Sequence, residues 1–121
     1  MRKSRERDRL HLLHMRDAAQ AAHDFCAGRD RAELDNNPLL QMALAKAIEL
    51  TGESANHLSG ELRALQPNIP WADIIGMRHV LVHNYWYVEM DEVWNTAQHD
   101  MPTLIAQLQE LIDQEETRGK R

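Results

Sequence analysis

Apolar positions recur along this chain at steps of three and four, and no stretch alternates with period two for long, so the pattern predicts helices throughout. A first helix is expected from about Asp8 to Ala27, with Leu10, Leu13, Ala18, Ala21, Ala22 and Phe25 as its apolar stripe and Gly28 as a left-handed cap. Gly28 to Asn36 is polar and reads as a loop with some turn. A second helix starts clearly: Asn37 can cap, and Pro38 suits the first helical position, where its missing N–H would find no partner anyway. This helix should run to about Leu58, and Gly52, Ser54 and Ala55 are small enough to let a neighbouring helix approach closely.

Ser59 to Pro70 reads as a connection with about one turn near Glu61 to Leu65. A third helix is expected from Pro70 or Trp71 to between His83 and Tyr85. A fourth should open near Asp91, a plausible cap, and continue to about Glu115, with Pro102 kinking or splitting it near Asp100. Four or five helices of this length with short connections predict an all-α fold, an antiparallel bundle with a kinked last helix.

Composition narrows the possibilities. The 121 residues suit one domain, and 43% hydrophobic content argues against wholesale disorder. The lone Cys26 excludes an intramolecular disulfide. No apolar run is long enough to span a bilayer and the start lacks the apolar core of a signal peptide, so a cytoplasmic protein is expected. The net charge of −5 argues against a broad phosphate-gripping face. Basic residues gather at the ends: Arg2, Lys3, Arg5, Arg7 and Arg9 at one, Arg118, Lys120 and Arg121 at the other. Residues 1–7 and 116–121 are expected to be frayed tails flanking a single domain.

The third helix carries the chemistry. At about 100° per residue, Trp71, Ile75, Arg78, Val82 and Tyr85 form one stripe, Ile74, Met77 and Leu81 a second, and Gly76, His79, His83 and Trp86 a third. A helix apolar around most of its circumference should be central, or covered by a partner as well as by its own bundle. An arginine there needs a reason, since charge is rarely buried unpaired. Its plain structural role would be an ion pair with Glu49 or Glu53. A hydrogen-bonded helix end would account for His83, and core packing for Tyr85. His79 and His83, four apart, could also be two ligands on one helix face, as His11 with His14 could more weakly, but no third ligand is evident.

The segment Gly76-Met77-Arg78-His79-Val80-Leu81-Val82-His83-Asn84-Tyr85 resembles the R-x-x-x-x-H-x-Y signature of HEPN domains, and most closely the HepT-like branch. The resemblance runs from about Arg9 to Leu111. It takes in Asn37-Pro38-Leu39, the stretch Ile48 to Asn56, Ile69-Pro70-Trp71, Asp91 to Trp94 and Asp100-Met101-Pro102. It implies a homodimeric helical bundle that is the toxin of a toxin–antitoxin pair (type VII or type II-like). Such proteins are metal-independent ribonucleases without a cofactor, and their partner is a minimal nucleotidyltransferase antitoxin that in some systems transfers AMP to the motif tyrosine. Carried over by position, Arg78 and His83 would be catalytic, Tyr85 the AMP acceptor, and Asn84, Glu53 and His79 supporting residues. The alternatives are a non-catalytic HEPN module that binds a nucleotide or serves the nucleotidyltransferase as partner, and a purely structural helical adaptor.

The residue types suit such chemistry. A ribose 2′-hydroxyl attacking the adjacent phosphate needs proton transfer, which histidine provides near neutrality, and a cation on the phosphorane, which arginine provides. One histidine is awkward for a reaction wanting both base and acid, and a two-fold dimer would supply a second. Arg78 and His83 lie about 140° apart on an ideal helix. They converge only if the helix ends or distorts near His83, or if each faces a partner's residue. A nucleotide on Tyr85, seven residues from Arg78, would set bulk and negative charge beside the guanidinium and block RNA. Trp86 and Tyr87 could stack a base.

Overall fold

The computed structural model describes residues 2–119, and over these the chain is helical with no strand. Met1, Lys120 and Arg121 lie outside the described residues, and with them part of the C-terminal basic cluster. The helices are α1 (Arg2–Cys26), α2 (Ala32–Asp35), α3 (Pro38–His57), α4 (Gly60–Arg63), α5 (Trp71–His83), α6 (Met90–Asn95) and α7 (Met101–Gly119). A 3₁₀ turn, Tyr85–Tyr87, follows α5, and a π turn, Thr96–Asp100, joins α6 to α7. The all-α, antiparallel bundle with a kinked last helix is the observed architecture.

Local chemistry explains most boundaries. The Asn37 side chain accepts from the Leu40 N–H at 3.0 Å, and Pro38 follows it at the first helical position. Gly28 adopts φ +71°, the left-handed conformation that ends α1. The π turn precedes Pro102: the Met101 N–H reaches back five residues to the Thr96 carbonyl, widening the helix just before the residue that cannot donate.

Three expectations are corrected. Helix α1 begins at Arg2 rather than near Asp8. Its buried face is Leu12, Met15, Ala19, Ala22 and Cys26, at alternating steps of three and four, while Leu10 and Phe25 are exposed. Asp91 does not cap α6. Glu89 holds the cap position without a side-chain hydrogen bond, and Asp91 pairs with Arg31 Nε at 2.7 Å, tying α6 to the turn before α2.

Helix α3 packs against α1 on one side and α5 on the other, and α7 closes against α1. The α1–α3 and α1–α7 pairs run antiparallel. Asp8, early in α1, accepts from the Ser59 N–H (2.9 Å) and hydroxyl (2.5 Å) just past α3. Arg9 meets Glu116, and Arg16 meets Gln109, on α7. The buried residues form one contiguous cluster that includes Leu12, Leu44, Leu108 and Leu111.

Helix α5 is not central. It lies at the edge of the bundle, and of its residues only Leu81 is fully buried. No helix of the described residues is long and apolar enough to cross a membrane.

Candidate functional site

Two devices set α5 in place. The Trp71 indole N–H is shared between the Arg63 and Gln66 carbonyls, both at 3.1 Å, which fixes the start of the helix. Gly52 of α3 then lets the two helices touch. A β-carbon there would run into the Arg78 β-carbon and lie 2.8 Å from the Ile74 carbonyl oxygen. The small-residue run around Gly52 is thus the crossing point, and it seats the backbone of Arg78 directly on α3.

At that crossing Arg78 meets Glu53, and Glu49 pairs instead with Lys46. Arg78 Nε is 2.6 Å from Glu53 Oε2, with the arginine side chain 28% exposed. The buried Nε–H is not directed along that line, so the attraction is between charges rather than an aligned hydrogen bond. The other oxygen of Glu53 takes a contact from His57, one turn further along α3, at 2.9 Å. The Glu53 carboxyl is held below the usual carboxylate range, first by the hydrogen bond from His57 and then by the Arg78 charge, against the opposing effect of burial.

Helix α5 stays regular through His83, so the separation of about 140° between Arg78 and His83 is not relieved within the helix. Arg78 turns toward α3. His83 is exposed, its ring 4.5 Å from that of His79, which is also exposed. Among the described residues, no group of three or more His, Cys, Asp or Glu side chains has the arrangement to hold a metal ion.

Asn84 is exposed and ends α5, its backbone N–H bonded to the Val80 carbonyl at 2.7 Å. The chain then tightens into the 3₁₀ turn. Tyr85 is half-buried against the core, with its ring edge-on to Trp86 at 5.2 Å. Trp86 and Tyr87 are 83% and 86% exposed. Val80 and Val82 add to this uncovered apolar surface. A groove of about 800 Å³ runs alongside between α5, the π turn and α7, floored by Ile48, Met77 and Leu104.

The structure therefore joins Arg78 to Glu53, sets His79 beside His83, and leaves His83 and Asn84 in solvent with Tyr85 half-buried against the core. It also brings in two residues with no place in the motif. His57 carries a single sequence signal, its four-residue spacing from Glu53. His11 on α1 stacks on His57, ring centres 4.9 Å apart and planes within 16°. That contact joins separate helices and is invisible to local spacing.

A family profile described as ribonuclease HepT-like matches residues 15–111. A protein of Methanocaldococcus jannaschii named as an RNase is 27% identical over 93 residues, 77% of this chain and 85% of that relative. Another, from Caldanaerobacter subterraneus subsp. tengcongensis and also named as an RNase, is 28% identical over 107 residues, 88% of this chain and 96% of its own length. The "Probable ribonuclease HepT" of Thermococcus cleftensis is 32% identical over 71 residues, 59% of this chain and 64% of that one. No solved structure matches the chain.

Proposed function

Since this chain belongs to the ribonuclease HepT-like family, we propose that it is the toxin of a toxin–antitoxin pair and cuts RNA without a metal, using Arg78 and His83. The observation that carries this reading is the arginine itself. A cation held through one nitrogen by Glu53 at the crossing of α3 and α5 keeps its terminal nitrogens without a protein hydrogen bond among the described residues. A planar guanidinium so held suits two phosphate oxygens.

In the reaction, the ribose 2′-oxygen bonds to phosphorus as its proton passes to a base. The bond from phosphorus to the 5′-oxygen breaks, and that oxygen takes a proton from an acid. The products are a 2′,3′-cyclic phosphate and a 5′-hydroxyl. Arg78 stabilises charge on the phosphorane and His83 moves protons. The opposed directions of the two side chains fit a two-fold homodimer in which the exposed face of α5 meets its copy and each His83 serves the facing Arg78. Val80, Val82 and the uncovered groove are apolar surface of the kind such a pairing buries.

Tyr85 is the residue we assign as AMP acceptor for a partner nucleotidyltransferase. Two residues after His83, it would set the added phosphate against the RNA path. Asn84 and His79 support the site by shaping the end of α5 and packing on His83. The non-catalytic alternative draws on the net charge of −5, which gives RNA little general attraction.

The deciding experiment incubates purified protein with a mixed-sequence RNA oligonucleotide in chelator. Cleavage lost in both Arg78→Ala and His83→Ala, with folding intact, supports the toxin reading. A wild-type protein that binds the nucleotidyltransferase but leaves RNA whole supports the module. Intact mass after co-expression with the nucleotidyltransferase tests the acceptor: AMP added to wild type but not to Tyr85→Phe supports the assignment, and AMP added to both refutes it.

A further inference from the structure

His57 lies outside the R-x-x-x-x-H-x-Y segment but shares a carboxylate with it. Glu53 presents Oε1 to His57 Nε2 at 2.9 Å and Oε2 to Arg78 Nε at 2.6 Å. One carboxylate thus stands between an imidazole on α3 and a guanidinium on α5. The imidazole is braced in turn: His11 of α1 stacks on it at 4.9 Å, and His14 packs edge-on against His11 at 6.1 Å. The three histidines and Glu53 line a groove of about 530 Å³ between α1 and α3.

We infer that His57 is a positioning residue for Arg78, acting through Glu53. The inference rests on the reading of Arg78 as the phosphate-binding cation. A glutamate held at one oxygen only can rotate about its last bond, whereas Glu53 engaged at both oxygens keeps Oε2 beside Arg78 and thereby holds the guanidinium's charge in place.

The charge of His57 also decides how much of Glu53 is left for Arg78. A protonated His57 draws the carboxylate's charge toward itself, so Arg78 presents more of its own charge to a phosphate. A neutral His57 leaves Glu53 to neutralise Arg78 more fully. Histidine changes charge within the ordinary working range of pH, so RNA binding at Arg78 should weaken as pH rises through that range.

The other groups facing this pair are His11, His14 and Asp17 of α1, with Arg7 and Asp8 near His11. Burial first, and then the neighbouring His57 and His14, hold the proton affinity of His11 down. His57 is exposed, and its replacement leaves the core intact.

The test compares wild-type protein with His57→Gln, which can still donate a hydrogen bond but does not titrate, and with His57→Ala, which does neither. In the free, isotope-labelled protein, the Arg78 Nε–H resonance is followed from about pH 5.5 to 8, across the histidine range. In wild type it should move in step with the His57 ring signals, and both variants should lose that step. His57→Gln should keep Arg78 near its wild-type position at high pH, whereas His57→Ala should displace it.

In cleavage of the RNA oligonucleotide, KM should rise roughly 3- to 10-fold in His57→Ala, as expected for one partly exposed charge-assisted bond, with kcat little changed. His57→Gln should hold KM near the wild-type value at high pH and flatten its pH dependence. An Arg78 step that persists in either variant, or is absent from wild type, overturns the coupling. An unchanged KM in His57→Ala overturns the positioning role. If the wild-type protein cleaves no RNA, the ribonuclease reading fails on its own, and the resonance still decides whether His57 governs Arg78.

Discussion

Helices α1 and α5 both carry apolar residues at helical spacing, yet they end up in opposite situations. On α1 the buried residues follow one another at steps of three and four, from Leu12 to Cys26, and α3 and α7 cover them. On α5 the apolar residues surround the axis, and one neighbour, α3, can cover only the side that carries Ile74, Leu81 and Arg78. Val80, Val82 and the following Trp86 and Tyr87 are left in solvent. An amphipathic helix needs only its own bundle. A helix apolar all round, placed at an edge, has surface that its own chain does not cover. Arg78 lies on the covered side, at the seam with Glu53 of α3, and His83 on the uncovered one.

If this contrast is functional, the two helices should respond differently to mutation. The largest effect is expected from Arg78→Ala, which should lower kcat/KM for RNA by about 10²- to 10⁴-fold, the range for losing a charge stabiliser or proton-transfer group. Its melting temperature should stay within a few degrees of wild type, because the removed contact is a partly exposed ion pair. Collapse of the fold together with activity would show instead that Arg78 is a structural residue.

The core helices should behave in the reverse way. Leu108 is fully buried, and Leu108→Ala should cost about 2–5 kcal/mol in denaturant unfolding, from lost transfer energy and the cavity left behind. Val82→Ala on the exposed side of α5 should cost under about 1 kcal/mol in the same measurement at dilute protein, since little is buried there. Equal losses at the two positions would erase the distinction between a closed core and an uncovered helix.

Between these extremes lies the seam of α3 and α5. Gly52→Ala adds one methyl group where the Arg78 β-carbon and the Ile74 carbonyl already sit. Overpacking of that kind costs about 1–3 kcal/mol. It should also push α5 away from α3, so that Arg78 leaves Glu53 and RNA cleavage falls further than the melting temperature suggests. An alanine variant as active and as stable as wild type would mean that the seam opens without consequence.

How much of this was legible in the sequence follows the same division. Local signals sufficed for Asn37 with Pro38, for Gly28, and for the break before Pro102, because each depends on one residue's backbone chemistry. Gly52 and its small neighbours announced a close crossing, and the partner of Arg78 was narrowed to two glutamates one turn apart. The family resemblance points to Glu53, and the packing of α5 against α3 pairs Arg78 with it and not with Glu49. The stripe expected for α1 differs from the buried one because Leu10 and Phe25 also fit a helical spacing, and only the positions of α3 and α7 decide between the two faces. Asp91 looked like a cap because its residue type suits one, but a long-range charge, Arg31, claimed it. Of the two places expected for α5, central or covered by a partner as well, the central one is excluded for a related reason. Periodicity reports how much of a helix is apolar and says nothing of how many neighbours the chain can supply. The stacking of His11 on His57 joins residues 46 positions apart, which no spacing rule reaches.

The smallest expected effect is also the most specific to the site. Glu53 gives up its proton more readily in the folded protein than an ordinary glutamate, chiefly through the hydrogen bond from His57 and then the charge of Arg78. Between the lowered value and the ordinary one, the unfolded chain binds more protons than the folded chain, so stability rises with pH through that window. The contribution is complete above the ordinary glutamate range, near pH 4.3, and disappears as the pH falls through the lowered value. With the Glu53 side chain 38% exposed, solvent screens much of the attraction, and the effect should be below about 1 kcal/mol. Thermal melts of wild type and Glu53→Gln should therefore differ slightly at neutral pH and converge as the pH falls through the lowered value, and added salt should shrink the neutral-pH difference. A difference that stays the same as the pH falls would place its origin in packing at the seam, and the charge linking α3 to α5 would then have no measurable part in holding the edge helix to the core.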